Sequence, residues 1–120
     1  MNYQEFTYGV GEIVLTLQII EDNLRLLLKS EQKGLSALNA ELLKSEKKDL
    51  FQPETLAAIG KLELVQDYYT HRACLSFIDE ENLDASIPFH DACKKLTEDR
   101  EALTHINGII AHLVLPPHSH

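Results

Sequence analysis

The sequence predicts an all-α protein, folded as a single up-down bundle of four helices. Apolar residues recur at three- and four-residue spacing along most of the chain, whereas signals for strands and hairpins are nearly absent. The length of 120 residues suits one domain that covers residues 1–120 and buries its own core.

The first helix is predicted over residues 11–30, with Gly9 and Gly11 as a loose start and Gly34 as a stop signal. The second is predicted over residues 35–48, where lysines near the C-terminal end suit the helix dipole. Both have one apolar side at helical spacing, made of Ile13, Leu17, Ile20, Leu24 and Leu27 in the first and Leu35, Leu38, Leu42 and Leu43 in the second.

The third helix is predicted over residues 53–78, because Pro53 fits a first helical position and a core stripe continues to Phe77. Gly60 is a mild cost inside it, and we interpret this glycine as a point of close helix approach. The fourth helix is predicted over residues 88–115, with Ser86 as N-cap and the pair "PP" as its end.

Composition narrows the classes of function. The chain has 11 basic and 19 acidic residues and a net charge of −8, which disfavours non-specific binding of nucleic acid. We expect a cytoplasmic protein without membrane contact, because the sequence shows neither a signal peptide nor an apolar stretch that spans a bilayer. Cys74 and Cys93 have no motif spacing and are expected to be reduced packing residues.

The C-terminal stretch "INGIIAHLVLPP" is more apolar than one small bundle needs. A homodimer formed through the last helix would use this surplus.

Arg100 and His105 are the candidate site residues. Helical residues turn by about 100° each, so His105 lies roughly 200° from Leu103 and away from the core stripe. Arg100 lies nearer the edge of that stripe, and its long side chain can reach the same cleft. Metal-independent RNA cleavage needs groups that move protons, which histidine provides near neutral pH, and a cation for the phosphate, which arginine provides.

The segment "REALTH", from Arg100 to His105, resembles the arginine-x4-histidine signature of the HEPN superfamily, and the preceding "SIPFHDACKKLTED" is similar to the helix that leads into it. The resemblance implies a small all-helical protein of a plasmid or mobile element, which dimerises to form a composite ribonuclease site without a metal ion or other cofactor. Arg100 would contact the phosphate and His105 would be the acid or base. Members include ribonuclease toxins with a protein antitoxin, phage-defence proteins and catalytically inactive forms.

Three other interpretations remain open. Arg100 and His105 can belong to an ordinary solvated helix face, on which Glu101 and His105 pair at four-residue spacing. The protein can be an inactive helical dimer that binds a protein partner through the apolar end of its last helix. Carboxylates and histidines on the third and fourth helices can form a metal cage, from Glu63, Asp67, His71, Glu98, Glu101 and His105.

Overall fold

A computed structural model describes residues 1–115, and the regular structure in this part of the chain is entirely helical. The predicted all-α class is therefore confirmed. The helices are α1 (Tyr3–Leu28), α2 (Leu35–Leu43), a 3-10 helix (Glu46–Leu50), α3 (Pro53–Ile59), α4 (Leu62–Asp67), a π-helical turn (Tyr68–Arg72), a 3-10 turn (Leu83–Ala85) and α5 (Ile87–Val114). The predicted end at "PP" lies outside the described residues.

Helix α1 begins well before the predicted residue 11. Asn2 caps it, because the Asn2 side chain accepts a hydrogen bond from the Glu5 amide and Glu5 bonds back to the Asn2 amide. The interpretation of Gly9 as a loose start was wrong. Gly9 is buried inside α1, and a Cβ atom there would lie 2.6 Å from Leu96 Cδ2 on α5. The glycine thus permits close approach of the two longest helices.

The second and third predicted helices are shorter than expected. Helix α2 ends at Leu43, and Ser45 then caps the 3-10 helix. The third predicted helix is interrupted at Gly60, which caps the C-terminal end of α3 before α4 begins at Leu62. The third predicted helix resumes as α4, continues into the π-helical turn and ends there, at Arg72, rather than at residue 78. Glycine weakens a helix interior, so the break falls where helix propensity is lowest.

The fourth predicted helix is confirmed almost to the residue. Helix α5 begins at Ile87, and Ser86 Oγ accepts a hydrogen bond of 3.2 Å from the Phe89 amide. Pro88 lies in the first turn, where its missing N–H is not needed.

Helices α1 and α5 run in the same direction. Phe6 packs on Phe89 with ring centroids 5.8 Å apart, and near the other end the Asn23 amide bonds to Asn107. In an up-down order of four helices the first and last run in opposite directions, so the predicted order differs from the structure. One segment returns between them, since Tyr69 reaches Asp99 whereas the later Phe77 packs against Phe89.

The apolar C-terminal stretch belongs largely to the core of the single chain. Ile106 and Ile110 are buried, and Ile109, Leu113 and Val114 pack against the buried cluster. Fewer apolar residues of this stretch are therefore left for a dimer interface than the sequence indicated. Both cysteines are free thiols, as predicted. Among the described residues, no helix combines the length and apolar character required to cross a bilayer.

Candidate functional site

Arg100 and His105 lie on the same exposed side of α5. Buried Leu103 and Ile106 hold this stretch of helix against the core, which leaves His105 on the outer side as the helical angles predicted. The structure brings both candidate residues to one open groove of about 530 Å³. Its lining residues are Thr97, Arg100, Glu101, Thr104 and His105.

The groove continues along α5 towards its C-terminal end. A second depression of about 580 Å³ shares Thr104 and His105 with the first and extends past Gly108 to Leu113. His112 also lines this part, so two histidines two turns apart face the same strip. We call the whole strip, from Thr97 to Leu113 on the outer side of α5, the α5 groove.

Arg100 forms an ion pair with a residue that the sequence did not indicate. Its Nη2 atom lies 2.8 Å from Glu12 Oε1 on α1. The two side chains are 43% and 40% exposed, so the pair contributes at most about 1 kcal/mol to stability. The positive charge of Arg100 is thus partly neutralised, but the ion pair is weak. An anion of higher charge can replace the Glu12 carboxylate.

The other acidic residues near Arg100 differ in their placement. Glu101 lines the groove, whereas Glu98 is exposed but does not line it. Asp99 lies on the inner side, where it accepts hydrogen bonds from Tyr69 and Lys95. The observed partner of Arg100 is Glu12, rather than Glu98 or Asp99.

The tyrosine and basic residues of the π-helical turn do not form one polar patch. Tyr69 is 5% exposed, and burial first and the bond to Asp99 second hold the pKa of its hydroxyl well above the usual range. Lys95 lies 4.6 Å over the ring of Tyr68, a cation–π contact. Arg72 points away and pairs with Asp67 at 3.2 Å. The turn is therefore fixed to α5 by Tyr69.

The alternative metal cage is not assembled. Within residues 1–115, no three histidine, cysteine or carboxylate side chains come close enough together to hold a metal ion. Glu101 and His105 instead line the α5 groove, and Asp67 is paired with Arg72. His118 and His120 lie outside the described residues.

Arg100 and His105 of one chain are by themselves an incomplete set of groups for phosphodiester cleavage. Arg100 offers a cation for a phosphate and His105 offers one proton-transfer group, but cleavage also requires a second such group. In comparisons with known proteins, no family model, no curated protein and no solved structure matches this chain. The roles of Arg100 and His105 therefore stay predictions.

Proposed function

We propose that this protein is a HEPN-like endoribonuclease that cleaves RNA without a metal ion, as a cytoplasmic toxin or phage-defence factor. The site would be composite, with Arg100 and His105 of each chain meeting in a cleft of a homodimer. The observation that carries the proposal is that both side chains line one open groove on the outer side of α5. Groups that share a groove can engage one phosphodiester at the same time.

In this mechanism Arg100 donates hydrogen bonds from its guanidinium to the phosphate and stabilises the charge that develops there. His105 of one chain removes the proton from the ribose 2′-hydroxyl, and the 2′ oxygen attacks phosphorus. His105 of the second chain gives a proton to the departing 5′ oxygen. The products are a 2′,3′-cyclic phosphate and a 5′-hydroxyl end, so the reaction needs no water or cofactor.

Binding of RNA requires Arg100 to exchange the Glu12 carboxylate for a phosphate. An exposed ion pair is worth at most about 1 kcal/mol, whereas a bidentate phosphate contact is stronger and gains from counterion release. The exchange is therefore favourable at low salt. Glu101 at the edge of the same groove repels phosphate and restricts binding to RNA that also contacts the partner copy.

The test is cleavage of a total tRNA pool by purified protein in EDTA, beside Arg100→Ala and His105→Ala. We expect wild-type cleavage with cyclic phosphate ends and a loss of about 100-fold or more in each variant. Arg72→Ala and His71→Ala are matched controls, because both side chains are exposed on the π-helical turn. Absence of wild-type cleavage, or equal losses in the controls, would contradict the proposal.

A second candidate function is a catalytically inactive helical dimer that binds a protein partner such as an antitoxin. The observation that favours it is the acidic setting of Arg100, which is paired with Glu12 and lies beside Glu101. An inactive dimer predicts that no RNA is cleaved under any salt condition. It also predicts that Arg100→Ala leaves partner binding and assembly unchanged.

A further inference from the structure

We propose that the C-terminal half of the α5 groove is a nucleobase subsite, in which an unpaired base of the bound RNA stacks on the ring of His112. This base belongs to a nucleotide that neighbours the phosphate held by Arg100 and His105. The inference rests on the proposed function for the identity of the ligand, a single RNA strand, but not on cleavage of that strand.

The subsite is continuous with the place proposed for the scissile phosphate. The depression of about 580 Å³ that contains His112 shares Thr104 and His105 with the depression that contains Arg100. A volume of this size falls within the range of about 300–1,000 Å³ that is usual for clefts that bind small ligands. A strand bound at Arg100 can therefore place its next nucleotide there without leaving the surface of α5.

His112 lies too far along α5 to act on the scissile phosphate itself. It follows His105 by seven positions, which corresponds to about 10.5 Å of helical rise. Successive phosphates of one stacked strand are about 3.4 Å apart along its axis, and they are farther apart in an extended strand. His112 therefore lies beside a neighbouring nucleotide, and it is not the second proton-transfer group that cleavage requires.

The lining of this half of the groove suits the flat face of a base. Gly108 lies between the two histidines, and a Cβ atom there would meet nothing within 4 Å, so the floor is open. A glycine also lets a ligand approach the helix backbone closely. Ile109 and Leu113 form an apolar side and pack against the buried core. A planar aromatic ligand can thus lie on the floor with its polar edge turned to solvent.

His112 supplies an exposed aromatic ring at the end of this floor. Unpaired bases of RNA stack on the rings of phenylalanine, tyrosine, tryptophan and histidine side chains. Such stacking accepts any base, because every base has a π-face, so we expect the subsite to select an unpaired base but not a particular one. His112 also lies in the last turn of α5, where a basic residue suits the helix dipole, and the test must separate the two roles.

The charges on α5 favour a strand that runs from Arg100 towards the C-terminal end of the helix. Glu98, Asp99 and Glu101 lie next to Arg100 in the sequence, whereas residues 102–115 contain no acidic residue, lysine or arginine. A strand that runs in this direction therefore meets no further carboxylate of α5. Because no lysine or arginine is present there either, stacking rather than ion pairing has to hold the nucleotide.

The inference is tested by a binding cycle that removes the ring from the protein and the bases from the ligand. The probe is a fluorescein-labelled pentanucleotide of 2′-O-methyl RNA, which cannot be cleaved because it lacks the attacking hydroxyl, and fluorescence anisotropy at low salt measures its Kd. We expect His112→Ala to raise this Kd by about tenfold or more and His112→Phe to restore it. A base-free strand with the same phosphates should bind the wild type and His112→Ala equally.

The variants at position 112 also separate stacking from the other roles of a histidine. His112→Phe keeps a ring but removes the basic group, so recovery in this variant excludes a role that depends on the helix dipole. His112→Gln keeps a hydrogen-bond donor without a ring and should bind as weakly as His112→Ala. Gly108→Leu fills the floor and should weaken binding of the intact probe, whereas Gly11→Leu, at an equally open glycine of α1, is the matched control.

The outcomes separate this inference from the proposed function. Recovery in His112→Gln but not in His112→Phe, or an equal loss with the base-free strand, would indicate a phosphate contact and overturn the inference even if RNA is cleaved. Failure of the wild type to bind the intact probe would overturn it as well. Binding that follows the expected pattern supports the inference even if no RNA is cleaved, in which case only the nuclease proposal fails.

Discussion

Tyr69 is the residue that fixes the returning segment to α5. Its hydroxyl donates a hydrogen bond of 2.5 Å to Asp99 Oδ2, and Lys95 Nζ lies 2.9 Å from the same oxygen. We predict that Tyr69→Phe lowers the free energy of unfolding by about 1.5–3 kcal/mol, the usual worth of a hydrogen bond to a charged group. Urea denaturation measures this change. Tyr8→Phe removes a hydroxyl from an exposed ring and should change stability by less than about 0.5 kcal/mol.

The same contact gives the protein a defined response to alkaline pH. Burial and the bond to Asp99 raise the pKa of Tyr69 in the folded chain, whereas an unfolded tyrosine has a pKa of about 10. Above that pH the unfolded state loses a proton that the folded state keeps, so stability falls as pH rises, by up to about 1.4 kcal/mol per unit. Wild-type stability measured between pH 9 and 11 should show this fall. An equally steep fall in Tyr69→Phe would assign it to other groups.

For single residues, the sequence predicted which side of a helix a side chain occupies better than it predicted which side chain it contacts. The helical angle placed His105 away from the core, and its exposure agrees, because the angle depends only on local geometry. The pairing of Arg100 with Glu12 depends on which helix lies beside α5 and in which direction. Neither property is encoded near Arg100, so no local pattern could indicate Glu12.

Helix boundaries were predictable where the signals are local. Ser86 and Pro88 mark the start of α5 by capping chemistry that involves only neighbouring residues. Gly9 misled the prediction for α1, since a glycine that permits close helix packing looks the same in sequence as one that loosens a turn. The capping signal of Asn2 and Glu5 was present further upstream.

The contact between α1 and α5 at Gly9 can be tested directly. We predict that Gly9→Ala destabilises the protein by about 1 kcal/mol, within a range of about 0–3 kcal/mol. Overpacking of buried Leu96 costs about 1–3 kcal/mol, and better helix propensity returns at most about 1 kcal/mol.

A double-mutant cycle supplies the control for Gly9→Ala, with thermal unfolding as the readout. Leu96→Ala alone should cost about 2–5 kcal/mol. In that background the added methyl group no longer clashes, so Gly9→Ala should become neutral or stabilising. Additive losses in the double variant would show that the clash is not the cause.

The order and direction in which the helices pack were the properties that the sequence predicted least well. Four amphipathic segments are compatible with several bundle orders, and the broken third segment allows α1 and α5 to lie side by side in the same direction. Because of this pairing, Glu12 of α1 lies within reach of Arg100 on α5. Apolar patterning predicted the buried stripe of α1 but not its second apolar strip, which stays exposed and consists of Tyr8, Leu15, Ile19 and Leu26.

The net charge of the whole chain gives a prediction for the homodimer of the proposed function. Two chains of charge −8 repel each other at long range. Salt screens the repulsion, with a Debye length of about 10 Å at 0.1 M, but does not weaken apolar packing. Raising sodium chloride from about 0.02 to 0.5 M should therefore lower the dissociation constant of the dimer several-fold in sedimentation equilibrium. A dissociation constant that rises with salt would show instead that ion pairs between the two chains hold the dimer together.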